Sequence, residues 1–216
     1  MANFNDLLDS IQHSDVDELD RIISEEPQLL KKKTNKGLSP LLYACYFKNP
    51  ELTNAIKPHF DSLDIFEAAA IGDLKALKAE VEKDPSILST HSKDGYTPLG
   101  YAAYFGNTDV VEFLISNGAN VNSSSHNELH VTPLHSACSY GFNSIASMLL
   151  EAGANPNAAQ NSGVTPLHSA AHHGNASLIK MLLVCGADSK LTLQDGKTPA
   201  DLAREAGHNE LSFMLH

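Results

Sequence analysis

The chain of 216 residues has no tryptophan, three cysteines and few basic residues, and each scarcity excludes a class of protein. Three cysteines cannot form a dense disulfide framework and show no metal-binding spacing, so they indicate free thiols in a reducing, cytoplasmic compartment. Fifteen Lys and Arg against 26 Asp and Glu give a formal net charge of −11. Because phosphate groups bind to basic surfaces, this charge argues against nucleic acid and anionic membranes as partners.

Long apolar runs are also missing. No segment approaches the ~18 consecutive apolar residues of a membrane-spanning helix. The amino terminus is polar and carries Asp6 and Asp9, so it does not resemble a secretory signal. The sequence also lacks a glycine-rich phosphate loop, a Gly-x-Ser-x-Gly elbow and a His-Glu-x-x-His pair. We therefore predict that the protein is not an enzyme and has no catalytic residue, metal site or cofactor.

What the sequence does contain is a short pattern that recurs at a constant interval. Residues 132–137 read Thr-Pro-Leu-His-Ser-Ala, residues 165–170 repeat the same six letters, and Thr198-Pro199 follows after the same interval. Threonine can cap a helix, proline suits the first helical position, and the glycines further along can end a helix. This period and this motif resemble the ankyrin repeat.

The resemblance implies an all-α fold, an ankyrin-repeat solenoid of stacked antiparallel helix pairs with projecting loops that are similar to β-hairpins. It also implies a non-catalytic protein–protein interaction module that binds its partner through a concave face. His135 and His168 would then be structural, because in ankyrin-like repeats this histidine ties neighbouring loops together by hydrogen bonds. One imidazole per repeat is also spread along the stack and not gathered around one metal ion.

The amino-terminal region departs from this pattern, but it aligns with the region that follows it. Residues 6–56 match residues 64–114 without a gap, and both contain Tyr-Ala-x-Tyr-Phe-x-Asn. We interpret the match as the duplication of a two-repeat block. The alternative is that the two blocks are ankyrin units that drifted independently and are similar without such a duplication.

The alignment predicts one ankyrin-repeat domain over residues 1–216, with about seven repeats, of which the first are degenerate and the last is a cap. The second and third starts lie closer together than one repeat, so we predict that the projecting loop is missing there and that Pro58 ends the second helix. The loop before Thr132 is longer than the others. The repeats begin near residues 5, 39, 63, 97, 132, 165 and 198.

Aromatic and imidazole side chains concentrate at one place in the repeat. The seventh and eighth residues after each start end the first helix, and in ankyrin-like stacks this edge lines the concave groove. Five of the seven pairs contain a ring, although only 6% of the chain is aromatic. Because aromatic side chains dominate interfaces, we predict that these positions and one loop tyrosine bind the partner. The predicted partner-binding residues are Tyr46, Phe47, Ile71, Tyr96, Tyr104, Phe105, Tyr140, His172 and His173.

We expect the seventh-position side chains Tyr46, Tyr104 and His172 to be exposed, whereas the eighth-position residues can instead pack between helices. The acidic chain favours a partner with a basic surface, and we expect it to act as a monomer. Two alternatives stay open. The Tyr/His groove would suit a small-molecule or metal-responsive sensor or enzyme, and the array would also suit an inhibitor or immunity-type binder of an enzyme.

Overall fold

The Thr-Pro pairs begin helices, as their chemistry requires. In the computed structural model, which describes residues 2–215, the hydroxyls of Thr132 and Thr165 accept hydrogen bonds from the backbone N–H three residues later. Pro133 and Pro166 occupy the first helical position, where the missing N–H would have had no partner in the helix. Ser39 caps the second repeat in the same way, so one of the degenerate repeats also begins with a hydroxyl cap.

All regular structure within residues 2–215 is helical, and no strand forms there, which confirms the predicted all-α class. Successive helices pair and contact each other, and the first helices of neighbouring pairs pack side by side along the chain. The α-helices are α1 (Phe4–Gln12), α2 (Val16–Glu25), α3 (Pro40–Cys45), α4 (Pro50–Ile56), α5 (Ile65–Ile71), α6 (Leu74–Lys83), α7 (Pro98–Phe105), α8 (Thr108–Ser116), α9 (Pro133–Tyr140), α10 (Asn143–Glu151), α11 (Pro166–His172), α12 (Ala176–Val184), α13 (Pro199–Glu205) and α14 (Asn209–Met214).

The leucine of each Thr-Pro-Leu motif lies in the core between neighbouring pairs. Leu99, Leu134 and Leu167 are at most 1% exposed. Burying one leucine contributes about 1.5–3 kcal/mol, and the next repeat supplies the surface that buries it. The periodic motif therefore fixes the stack, because no repeat can cover its own apolar face. None of the helices between residues 2 and 215 combines the length and apolarity that crossing a bilayer would demand.

The projecting loops are tight turns that resemble the ends of β-hairpins. In the turn 34–38 the Thr34 N–H donates to the Leu38 carbonyl, and Gly37 has a positive φ of 81°. The turns 92–96, 160–164 and 193–197 close with the equivalent bond. In the longer turn 125–131, the Ser125 N–H donates to the Val131 carbonyl, and His130 has the positive φ that glycine has elsewhere.

The connection between the second and third pairs has no projecting turn. Helix α4 ends at Ile56, as the sequence predicts, but Pro58 does not end the helical path there. Lys57–His59 continues as a 3-10 turn, because a proline early in such a turn needs no N–H donor. The cap of α5 is Asp64, one residue after the predicted repeat start. A cavity of about 270 Å³ lies between turns 34–38 and 92–96 at this gap.

Candidate functional site

The ends of three first helices bring a set of rings into one row. Tyr46 caps α3, Tyr104 and Phe105 end α7, and Tyr140 ends α9. Because these helices stack side by side, their carboxyl-terminal ends lie along one edge of the array, beside the projecting turns. We call Tyr46, Tyr104, Phe105 and Tyr140 the aromatic surface.

The four rings contact one another across repeats. The ring centroid of Tyr46 lies 5.6 Å from that of Tyr104 and 5.3 Å from that of Phe105. Tyr104 in turn lies 4.9 Å from Phe105 and 4.9 Å from Tyr140. The interplanar angles of these pairs are between 61° and 77°, the edge-to-face arrangement that the aromatic quadrupole favours. The rings therefore form one contiguous surface and not isolated contacts.

The exposure of the rings differs from the prediction. Tyr140 is 39% exposed and His172 is exposed, but Tyr46 and Tyr104 are only half-buried and not fully exposed. The expectation that Tyr46 and Tyr104 are exposed is wrong, because neighbouring rings cover one face of each. The eighth-position residue Phe105 is half-buried for the same reason. The surface thus offers ring edges and partial faces in a fixed arrangement.

Phe47 and Tyr96 extend the aromatic surface toward an open groove. Tyr96 lies 6.1 Å from Tyr104, and Phe47 lies 5.1 Å from Tyr43, measured between ring centroids. The groove has a volume of about 960 Å³ and runs between the first two helix pairs and the turns 34–38, 92–96 and 125–131. Its apolar lining includes Leu8, Tyr43, Phe47, Tyr96 and Leu129. Six of the nine predicted site residues are therefore brought together at this edge.

The other three predicted residues lie apart from this set. Ile71 is half-buried and packs against the core, which leaves little of it at the edge. His172 and His173 are exposed, and their rings meet each other at 5.1 Å and 88°. The His173 ring Nδ1 also lies 2.8 Å from the Ser169 carbonyl, within its own repeat. Neither histidine lines the groove.

Asp94, in turn 92–96, fixes the aromatic surface to the row of turns. The Tyr46 hydroxyl donates to Asp94 Oδ2 at 2.9 Å, and the Tyr101 hydroxyl donates to Oδ1 at 2.5 Å. The Ser92 hydroxyl donates to the same Oδ1 at 2.5 Å. Burial, with the nearby carboxylate, raises the pKa of Tyr46 and Tyr101 far above its usual range, so both hydroxyls remain donors. This network bridges the gap where the projecting turn is missing.

In the later repeats, buried histidines join the turns instead. His135 is fully buried, and its Nδ1 accepts from the Thr132 N–H at 3.3 Å. Its Nε2 must then carry the proton that is donated to the Val164 carbonyl at 3.0 Å. Burial lowers the pKa of His135 to about 4, which keeps this neutral form. His168 repeats the arrangement with Lys197, so the structural role predicted for both histidines is confirmed.

Lys48 also contacts the aromatic surface, although it is not among the predicted site residues. Its Nζ lies 3.5 Å from the centroid of the Tyr140 ring and 5.9 Å from that of Tyr104. A signal was present in the match between the two amino-terminal blocks, where Lys48 aligns with Gly106. The stacked rings of His91 and His126, with centroids 3.5 Å apart, are a second contact that no sequence pattern indicated.

The buried cysteines and the surface carboxylates show no reactive arrangement within residues 2–215. Burial raises the pKa of the Cys45 and Cys138 thiols to about 12, so neither is a reactive thiolate near neutral pH. Over residues 2–215, no group of three or more His, Cys, Asp or Glu side chains is arranged to hold a metal ion. The tyrosine hydroxyls at Asp94 are donors in a closed network. What the edge presents to solvent is aromatic surface, an open groove and one lysine.

Comparison with known families agrees with the stacked helix pairs. A family model for ankyrin repeats in three copies matches residues 65–160, and a second, for ankyrin repeats in many copies, matches residues 149–203. Together they cover more than half of the chain. The chain belongs to the ankyrin-repeat family, whose repeats are generally protein–protein interaction modules and generally not enzymes.

Individual relatives match over parts of their length. The chain is 31% identical over 100 residues to the human DNA-binding protein RFXANK, which covers 45% of this chain and 38% of that protein. It is 32% identical over 89 residues to ankyrin repeat family A protein 2 from Bos taurus, covering 40% and 28% respectively. It is 33% identical over 122 residues to alpha-latrocrustotoxin-Lt1a from Latrodectus tredecimguttatus, covering 53% and 9%. The alignments thus span well under two thirds of these relatives.

Proposed function

We propose that this chain is a non-catalytic module that binds one partner protein on its concave face, the edge that carries the aromatic surface and the groove. The contacting residues are Tyr46, Phe47, Tyr96, Tyr104, Phe105 and Tyr140. The observation that carries the proposal is the contiguity of these rings across helices α3, α7 and α9. Contiguous apolar surface on a folded protein usually marks a binding site, whereas scattered exposed apolar residues do not.

Rigidity is the physical reason why this edge suits binding. An edge-to-face contact already holds the rings of Tyr46 and Tyr104 against each other, and the hydrogen bond to Asp94 holds Tyr46. Little side-chain entropy is then lost when a partner docks on them, which favours affinity. The net charge of −11 favours a partner with a basic surface, through electrostatic steering.

The proposal also covers the oligomeric state and compartment of the chain, and two alternative functions stand beside it. We propose that the chain acts as a monomer in the cytoplasm, where its three free cysteines would stay reduced. We do not propose DNA binding, which the name of the human relative mentions, because the net negative charge of this chain disfavours DNA. A small-molecule sensor or an enzyme would need an enclosed pocket at Tyr140 and His172, and neither residue lines the groove. An inhibitor of an enzyme would use the same binding edge.

A double substitution tests the proposed surface. Tyr104→Ala with Tyr140→Ala should lower the affinity for a partner captured from the source cells by about 30-fold or more, because interface tyrosines are frequent hot spots. Capture with the wild-type chain identifies candidates, and titration calorimetry with each purified candidate then gives the dissociation constant. Helical circular dichroism checks that the variant remains folded.

A matched aromatic truncation controls for general loss of apolar surface. Phe213 is 80% exposed and lies in the last helix, α14, so Phe213→Ala should leave the affinity unchanged. The proposed site is wrong if the double variant binds each captured partner as tightly as the Phe213→Ala variant does.

A further inference from the structure

Lys48 has a backbone conformation that is unusual for its residue type. It follows helix α3 with a positive φ of 52°, in the left-handed region. The corresponding residues after α5, α7 and α9 are Gly72, Gly106 and Gly141, all with positive φ. A lysine carries a steric cost at this position that glycine avoids. In the first repeat Ser14 holds this position with a positive φ of 55°, so the backbone conformation belongs to the repeat and what distinguishes Lys48 is its side chain.

The side chain of Lys48 reaches along the aromatic surface. Helices α5 and α7 separate its own helix, α3, from the helix of Tyr140, α9. Its Nζ nonetheless lies 3.5 Å from the centroid of the Tyr140 ring and 5.9 Å from that of Tyr104. No salt bridge of Lys48 is found in the part of the chain that the structure describes, residues 2–215. The ammonium group is therefore held by the two rings.

We infer that the Tyr104–Tyr140 pair is a subsite for a cationic side chain of the partner, and that Lys48 is an internal occupant which that side chain displaces. The identification of a protein partner rests on the proposed function, whereas the affinity of the two rings for an organic cation does not. Lys48 is solvent-exposed, so it can leave the rings and regain water without disturbing the core. The incoming cation would take the face of Tyr140 over which Lys48 Nζ now lies.

Arginine is the side chain that fits this subsite best. Its planar guanidinium stacks on aromatic faces and is more weakly hydrated than an ammonium group, so it competes well with a lysine for the same ring. The acidic chain also concentrates cations near its surface. The subsite thus gives the predicted preference for a basic partner a specific location.

Binding of a small cation tests the subsite without a partner protein. The probes are N-acetyl-Gly-Arg-Gly-amide, its lysine counterpart and a citrulline counterpart, which keeps the shape of arginine but has no charge. At low ionic strength, the arginine probe should shift the ring signals of Tyr104 and Tyr140 in two-dimensional NMR spectra of the full chain, and the lysine probe should bind more weakly. Equal shifts with the citrulline probe would overturn the assignment.

Removing the internal occupant should strengthen binding. Lys48→Asn should tighten binding of the arginine probe about 2- to 5-fold, because the rings are then free of their competitor. Asparagine tolerates the left-handed backbone, so the fold is kept. Lys36→Asn removes the same charge from the groove rim but leaves Lys48 over the rings. It should change the affinity less than about 1.5-fold, because salt screens the interaction between an exposed charge and the probe. Equal effects of the two substitutions would mean that Lys48 is not a competitor.

Two substitutions of the ring itself complete the test. Tyr140→Phe keeps an aromatic face and should keep probe binding, whereas Tyr140→Leu should weaken it about 3- to 5-fold. If Tyr140→Leu has no effect, the subsite is wrong even where the double tyrosine variant loses its partner. Conversely, loss of probe binding in Tyr140→Leu while the double variant retains its partner would overturn the proposed function and leave the cation subsite standing.

Discussion

The two halves of this array join neighbouring turns by different chemistry. In the carboxyl-terminal half, His135 and His168 occupy the third position of their helices and donate to the next turn. In the amino-terminal half, that helix position holds Leu42 and Gly100, and Asp94 accepts hydrogen bonds from tyrosines instead. One fold therefore joins neighbouring turns either through a neutral imidazole bridge or through a carboxylate–tyrosine network.

The missing turn between the second and third helix pairs explains why the two halves differ in this contact. Without a turn between the second and third pairs, the next turn along is 92–96, and Tyr46 reaches across to its Asp94. A histidine bridge spans 29 residues, whereas this hydrogen bond spans 48. A long tyrosine side chain can cover that gap, and its ring then becomes part of the aromatic surface. Tyr46 therefore both spans the missing turn and forms part of the candidate binding site.

Removing the imidazole bridge should have the largest effect on stability. His135→Ala leaves the Thr132 N–H and the Val164 carbonyl without their partner and opens a cavity in the core, so we expect a loss of about 3–4 kcal/mol in the free energy of unfolding. Urea unfolding followed by circular dichroism measures it. His172→Ala, on the exposed surface, is the matched control and should stay within about 0.5 kcal/mol of wild type. Similar losses for both variants would contradict the role of the bridge.

Acid should weaken the carboxyl-terminal half first. The pKa of His135 is lowered from 6.5 to about 4 by burial, so below pH 6.5 the unfolded chain takes up a proton that the folded chain does not. Its stabilising contribution is full above pH 6.5 and is lost as the pH falls toward 4, which amounts to about 3 kcal/mol at most. The tyrosine hydroxyls of the amino-terminal half do not titrate in this window, since burial raises the pKa of Tyr46 and Tyr101.

The distribution of tyrosine allows the two halves to be followed separately. Five of the six tyrosines lie between residues 43 and 104, so tyrosine fluorescence reports mainly the amino-terminal half while circular dichroism reports all helices. At pH 4.5 the circular dichroism transition in urea should begin before the fluorescence transition. The variant His135→Gln, which cannot titrate, should lose less stability between pH 7 and 4.5 than wild type. Coincident transitions at both pH values would contradict the difference between the halves.

The carboxylate network should show the smallest of these effects. Asp94→Asn replaces one acceptor oxygen by an amide donor, so one tyrosine hydroxyl loses its partner and stability falls by about 1–2 kcal/mol. Asp195→Asn is the matched control, because Asp195 holds the same position in turn 193–197 but is exposed and contacts only Lys197. A double-mutant cycle with Tyr46→Phe should give a coupling energy of about 0.5–1 kcal/mol. Zero coupling would mean that Tyr46 is held by its ring contacts alone.

Local patterns predicted the fold well because they determine local structure. Thr-Pro at positions such as 132–133 sets a helix start through one hydroxyl and one fixed φ, and the apolar period decides which face is buried. The end of α4 at Ile56 was predicted from Pro58, although a 3-10 turn continues the helical path through that proline. Contacts between distant residues were harder. Asp94 looked like one polar loop residue among many, because its two tyrosine partners are 48 and 7 residues away and no period connects them.

The row of rings along the proposed binding edge was predicted only in part, again because contacts between distant residues leave no local pattern. Position in the repeat was enough to place Tyr46, Tyr104 and Tyr140 on one edge, but it could not show that the rings cover one another. His172 lies at the equivalent end of its helix, but it does not contact the rings. The Tyr140 ring of the preceding repeat packs against Tyr104, and the His172 ring packs against His173. The role of Lys48 depends on a side chain that spans several repeats.

By itself, the sequence determined the helix pairs, their caps, the family and the line of helix ends, since each depends on residues within one repeat or on its exact period. Tertiary structure alone decided which rings meet, which carboxylate holds them and which cation covers them. Those outcomes depend on how far adjacent repeats are rotated and spaced, and a missing turn changes that spacing. A repeat motif specifies its neighbour, but the surface that several repeats share appears only once they are stacked.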